Sequence, residues 1–376
     1  MALSGHWSKR VLFIALLLPI LSFVACNGAT KKSDTTGSGG AVAPSTSGSV
    51  IVSGLKITKP VRRAKVTSGA ELCVEWSNSY ASAIDSTQVV YDNQLVATVV
   101  GADSVCNFVI KAGVGVRNVK VQSFFADGNY SVAIVPVQVM PAAPKQLKYR
   151  VVASYPHDKS SFTQGLYYHD GYLFEGTGQY GKSALLKVDP ATGKSLVSNP
   201  LKSNYFGEGI AELNGKIYQL TWTNGVCLVY DAKTMQQERV HNYASQGWGL
   251  TTDGNMLIMS DGSNMLTIVN PENFSPVRQI QVYDNNGPVD QLNELEFVDG
   301  LVWANVWTTN RVVAIDYKSG AVVAELDLSN LLSANEKQSL DPVDHVLNGI
   351  AFEKDSGYYY FTGKCWPKVF KIQIQK

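Results

Sequence analysis

Apolar and polar residues alternate in short runs along most of this chain, the period-two pattern of half-buried β-strands. Between about Ser49 and Ala143 the runs include Leu72, Val74 and Trp76, then Val89-Val90-Tyr91, Leu95-Val96-Ala97 and Val119-Lys120-Val121. Asp92-Asn93 and Asp127-Gly128-Asn129 punctuate them as turns. Several short strands at this spacing predict a small β-sandwich of immunoglobulin-like kind over residues 49–143. Nothing in it groups polar residues for chemistry, so a spacer or docking role is expected. Pro141 to Pro144 mark its end.

From about Leu147 to Lys376 the pattern repeats. Five segments align: Phe162-Thr163-Gln164-Gly165-Leu166, Phe206-Gly207-Glu208-Gly209-Ile210, Gln246-Gly247-Trp248-Gly249-Leu250, Gln291-Leu292-Asn293-Glu294-Leu295 and Val346-Leu347-Asn348-Gly349-Ile350. Their central residues are 44, 40, 45 and 55 positions apart. Turns such as His169-Asp170-Gly171 and Val298-Asp299-Gly300 follow, and then further apolar runs. Three or four strands per unit, repeated at this period, predict an all-β, five-bladed β-propeller over 147–376. Equivalent positions of successive blades meet around the central channel. Gln164, Glu208, Trp248, Asn293 and Asn348 are therefore expected in one ring, with Glu175, Trp222, Asp261, Trp307 and Lys364 in a second ring 11 to 16 residues later. These residues differ from blade to blade, as they would in a site built once from unlike parts. Aromatic-lined concavities with a few polar groups are the usual form of such sites.

The first 48 residues read differently. Lys9 and Arg10 precede an apolar run, Val11 to Ala25, too short for the roughly 20 residues of a spanning helix. That layout predicts a signal peptide over 1–25. The run ends Phe23-Val24-Ala25-Cys26, similar to a bacterial lipobox, so Cys26 is the expected lipidation site. Residues 26–48 are Gly, Ser, Thr, Ala and Lys with almost nothing large, a flexible tether. The expected location is the bacterial periplasm or cell surface, with membrane contact through the N-terminal lipid alone.

Charge and cysteine content narrow the chemistry. The net charge is +1 and 17% of residues are charged, without a basic block. A nucleic-acid partner is not expected. Five histidines are scattered and no C-x-x-C or H-E-x-x-H spacing occurs, so no metal site and no cofactor are expected. Of the remaining cysteines, Cys73 and Cys106 fall in one small segment and could pair, whereas Cys227 and Cys365 sit in distant repeats.

At the ring positions the sequence resembles the glutamine cyclotransferase family, the plant-type glutaminyl cyclases and their bacterial relatives. The matching motifs include Phe162-Thr163-Gln164-Gly165-Leu166, Phe174-Glu175-Gly176-Thr177-Gly178, Phe206-Gly207-Glu208-Gly209, Gln219-Leu220-Thr221-Trp222 and Gly247-Trp248-Gly249-Leu250. Leu292-Asn293-Glu294-Leu295-Glu296, Asn305-Val306-Trp307 and Gly363-Lys364-Cys365-Trp366-Pro367-Lys368 complete the set. The likeness runs from Tyr155 onward and does not touch the region before it. It implies conversion of the N-terminal glutamine of peptides or proteins to pyroglutamate, with release of ammonia. That reaction is intramolecular, so it needs orientation and two proton movements rather than a metal or a covalent nucleophile. Glu208 is the expected general acid and base. Asn293 and the Trp248 indole N–H are the expected donors to the carbonyl oxygen. Gln164 and Lys364 are assigned to positioning and to tuning Glu208, with Phe162, Phe206, Trp222 and Trp307 as walls. Two other readings compete: a metal-dependent lactonase or phosphoesterase, which would need more oxygen ligands and no lysine, and a non-enzymatic surface propeller binding glycans or proteins.

Overall fold

A computed structural model describes residues 49–375, apart from Ala102 and Ala112. The expected signal peptide, the tether and Cys26 lie outside the described residues. The described residues are all-β: among them 29 strands accompany one five-residue helix, Ala334–Gln338.

Two sheets form from residues before Pro141. One pairs Leu55–Lys59, Glu71–Asn78 and Val105–Val109; the other has five strands, with Ile84–Tyr91 and Gly115–Phe125 at its middle. Both contribute to one apolar core around Val74, Trp76, Val89, Val121 and Val137. Period-two alternation decides the cysteine question here. Val74 pairs with Cys106 and Cys73 with Asn107, so Cys106 faces the core and Cys73 the other side of the sheet. Successive side chains point to opposite faces, which excludes a Cys73–Cys106 bridge; both thiols are free, as are those of Cys227 and Cys365.

The remaining strands make five four-stranded antiparallel meanders. Sheets I to IV run in chain order through residues 163–200, 207–242, 250–281 and 292–327. Sheet V combines Leu347–Glu353, Tyr358–Gly363 and Lys368–Gln375 with an outer strand, Lys148–Pro156, taken from before sheet I. The short strand Lys145–Gln146 adds in parallel to the edge of sheet IV. The first strands of the sheets touch in a closed cycle, I to II to III to IV to V and back to I.

Glycine makes this closeness possible. A Cβ on Gly165 would stand 2.4 Å from Ile210 N, one on Gly209 2.5 Å from Leu250 N, and one on Gly249 1.9 Å from Asn293 O. In four of the five first strands the register also slips at this point: Thr163/Gly165, Gly207/Ile210, Leu292/Leu295 and Leu347/Ile350. Such bulges re-aim side chains. Here they fall at Gln164, Glu208, Asn293 and Asn348. Sheet IV alone has a large residue where the others have glycine, and that residue, Glu294, fills the middle of the cycle. Its carboxylate accepts from Leu166 N at 3.1 Å and from Ile350 N at 2.7 Å.

Candidate active site

A cavity of about 360 Å³ opens at the end of the cycle where the bulges lie. It is lined by Phe162, Gln164, Phe206, Glu208, Trp222, Trp248, Asn293, Trp307 and Lys364, together with Gln179 and Asp344. The nine residues that the resemblance assigned to catalysis and substrate binding thus surround one space, although they come from five sheets.

Its wall is an aromatic circuit. Phe162 meets Phe206 edge-on at 6.1 Å, Phe206 meets Trp222 at 5.7 Å, and Trp248 meets Trp307 at 5.5 Å. Two polar links close the gaps. Lys364 Nζ lies 4.9 Å from the Phe162 ring centre and 5.8 Å from that of Trp307. Gln246 Oε1 accepts the indole N–H of both Trp222, at 2.8 Å, and Trp248, at 3.0 Å. The Trp248 N–H expected to face a substrate oxygen thus donates to Gln246 in this structure, and its ring lines the cavity. No protein acceptor takes the Trp307 N–H among the described residues.

Inside the circuit the polar groups form a short relay. Asn348 Nδ2 donates to Gln164 Oε1 at 3.2 Å and to Thr163 O at 3.0 Å, and Gln164 Nε2 donates to Glu208 Oε1 at 3.1 Å. Asn348 stands behind the cavity rather than on it. Glu208 is 4% exposed and Lys364 5%. Burial pushes the Glu208 carboxyl well above the usual carboxylate range, and the Lys364 charge pulls the other way. Burial lowers the Lys364 ammonium from its ordinary value, with Glu208 opposing. At this depth of burial both neutral forms gain, as desolvation dictates. Asn293 is buried, and its Oδ1 has no partner among the described residues.

Two residues of the expected second ring are elsewhere. Glu175 points back beneath the cavity, where Oε1 receives the Thr163 hydroxyl at 2.6 Å and stands 3.2 Å from His157 Nε2. The imidazole's other nitrogen lies 2.8 Å from Trp366 O. Burial opposes protonation of His157, but Glu175 outweighs it and holds the imidazole above its usual range. Asp261 caps its own turn, accepting from the Ser263 amide at 3.0 Å and hydroxyl at 2.6 Å. Sequence reasoning missed Gln179, Asp344 and Gln246. Asp344 sits in the longest interval between repeats, on a turn held by Trp366 Nε1 donating to His345 O at 3.0 Å and Lys364 N to Val346 O at 2.9 Å. Among the described residues no three His, Cys, Asp or Glu side chains converge as metal ligands.

Comparison with known proteins places this arrangement. Residues 128–374 match the family described as Glutamine cyclotransferase. A Glutaminyl-peptide cyclotransferase of Arabidopsis thaliana is 38% identical over 228 residues, which is 60% of this chain and 71% of that protein. The crystal structure of Myxococcus xanthus Glutaminyl Cyclase is 35% identical and superposes with a TM-score of 0.58, covering 62% of this chain and 98% of that one.

Proposed function

This chain belongs to the glutamine cyclotransferase family and is a glutaminyl-peptide cyclotransferase, and from that premise we propose how its cavity carries out the reaction. The N-terminal glutamine of a peptide enters the aromatic circuit with its side chain toward Glu208. The neutral α-amine attacks the side-chain carbonyl carbon, forming the ring C–N bond. Glu208 takes the proton that the amine loses and passes it to the departing nitrogen, so the carbon–nitrogen bond breaks with ammonia as the leaving group. A single carboxylate in reach of both nitrogens serves as base and then as acid, work of about 10²–10⁴-fold in rate.

The observation that carries this reading is the state of Glu208. It is buried, raised in pKa, and held by Gln164 through one oxygen only, which leaves the other to the substrate. A carboxyl raised toward neutrality can both accept and give a proton. Asn293 and the Trp307 N–H are the donors for the carbonyl oxygen as it gains charge. Lys364 holds Glu208 from rising too far, and Gln164 orients it. None of these steps calls on a metal or cofactor.

We extend the same reading to the whole chain. The closed cycle of first strands, and the completion of sheet V by a strand from before sheet I, support a five-bladed β-propeller over 147–376. The two sheets before it support an immunoglobulin-like sandwich over 49–143. The N-terminal pattern supports export and lipid attachment at Cys26, with a membrane reached by that lipid alone; Cys26→Ser would then leave the protein out of the membrane fraction.

The test is direct. Residues 49–376, incubated with a short Gln-initiated peptide, should release one ammonia per peptide and block its N-terminus, with or without a chelator. No ammonia from any such peptide would remove the reading; turnover lost on chelation would remove its metal-independent form.

A further inference from the structure

The tryptophans on two neighbouring sheets share one acceptor that is not part of the cavity lining. Trp222 follows the strand Lys216–Thr221 of sheet II, and Trp248 precedes Leu250–Thr252 of sheet III. Their N–H groups converge on Gln246 Oε1, whose two lone pairs they fill. We propose that Gln246 is a positioning residue for the cyclisation, an amide clamp that fixes the spacing of the Trp222 and Trp248 walls. The inference rests on the cavity being the cyclotransferase site.

The clamp is set before substrate arrives. Gly247 N donates to Trp222 O at 3.0 Å, and Trp248 N to Ser260 O at 3.0 Å, so the backbone on both sides of the Gln246 link is tied down. Gly209 N in turn donates to Trp248 O at 2.7 Å, which ties the same segment to the strand bearing Glu208. Without Gln246 the aromatic circuit is open between Trp222 and Trp248, because no ring contact joins those two. Trp222 would keep its contact with Phe206, and Trp248 its contacts with Trp307 and Gly262, but nothing would join the two indoles to each other. A slot whose walls can move apart holds the floppy glutaminyl side chain less well, and orientation is what limits an intramolecular reaction. Gln246 itself is exposed. Its replacement leaves no core cavity, so the fold tolerates the change.

The experiment compares wild type, Gln246→Leu and Gln246→Glu. Leucine removes the acceptor at similar bulk; glutamate keeps an oxygen at the same place. Two readouts are taken: steady-state ammonia release from a Gln-initiated peptide, and the indole N–H resonances of ¹⁵N-labelled protein, assigned with Trp222→Phe and Trp248→Phe. In Gln246→Leu the two indole resonances should move upfield, and KM should rise about tenfold, equivalent to about 1.4 kcal/mol, with kcat within about threefold of wild type. Gln246→Glu should return both readouts toward wild type, and thermal melting should be unchanged throughout. Unmoved indole resonances in Gln246→Leu would overturn the clamp itself. Moved resonances with a wild-type KM would overturn its role in catalysis, as would a KM defect that glutamate fails to repair. A wild-type protein without turnover removes the parent reading, and this inference with it.

Discussion

Replacing Lys364 by methionine should move the pH dependence of turnover, by an amount and in a direction that the site fixes. Lys364 and Glu208 are both buried on one cavity, and each responds to the other's charge, but no hydrogen bond joins them. Two unit charges 4 Å apart at an effective dielectric of ~20 interact by about 4 kcal/mol. A wider pair is worth less, about 1–3 kcal/mol, which at about 1.4 kcal/mol per pH unit is one to two units. The sign follows from the chemistry. The Lys364 ammonium stabilises ionised Glu208, so its removal raises the Glu208 pKa further. In the proposed mechanism free enzyme needs ionised Glu208 to accept the amine's proton, so the rising acid limb of kcat/KM should shift toward alkaline pH by about one to two units. Initial rates of ammonia release from one peptide, measured across pH for wild type and Lys364→Met, give the shift. Lys364→Arg, which keeps the charge, should hold the limb near wild type. An acid limb that stays in place in Lys364→Met, or moves toward acid, would refute the coupling.

Other outcomes follow from single contacts. Asn293→Ala should lower kcat by about 10²–10³ with little change in KM, since an oxyanion donor acts mainly in the transition state; an equal loss in KM alone would count against that role. Gly249→Ala would place a Cβ 1.9 Å from the Asn293 backbone oxygen, an overlap that only backbone movement relieves. Its cost should be on the order of 3 kcal/mol, read as a lowered denaturation midpoint, and unchanged stability would contradict the close approach. Glu296 accepts from Phe352 N, and burial pushes its carboxyl up to about 8. A folded pKa raised above the unfolded value near 4.5 gives stability that is full below pH 4.5 and lost as pH rises through 8. Glu296→Gln, which cannot ionise, should therefore gain in Tm over wild type between pH 5 and 8; a gap that does not widen with pH would refute the shift.

Much of this site was legible because the repeat carries its own register. The residue two places before each Leu or Ile of the repeat falls where first strands approach closely, at a bulge in all but sheet III, so Gln164, Glu208, Trp248 and Asn293 come to one place from four separate segments. The second ring was less legible, because the loops it sits on differ in length. Trp222, Trp307 and Lys364 reach the cavity, but Glu175 lies on a regular strand and turns toward His157, a residue far outside its own motif. Asp261 is spent on its own turn. Glu294 was visible as the one departure from glycine, yet only packing assigns its carboxylate to two backbone amides of other sheets. Gln246 was visible in its motif too. That its oxygen is shared by two indoles is a property of side-chain direction, which sequence spacing does not encode. That the Trp248 N–H points to Gln246 is a property of the same kind.

The central claim is that one carboxylate moves both protons, and turnover by Glu208→Gln tests it most directly. Glutamine keeps the size and can keep the Gln164 contact, but it has no proton to shuttle. The account predicts folded protein, a KM within a few-fold of wild type, and ammonia release slowed by about 10²–10⁴-fold. Wild-type turnover in Glu208→Gln would contradict it and leave the cavity as a binding slot that works by orientation alone.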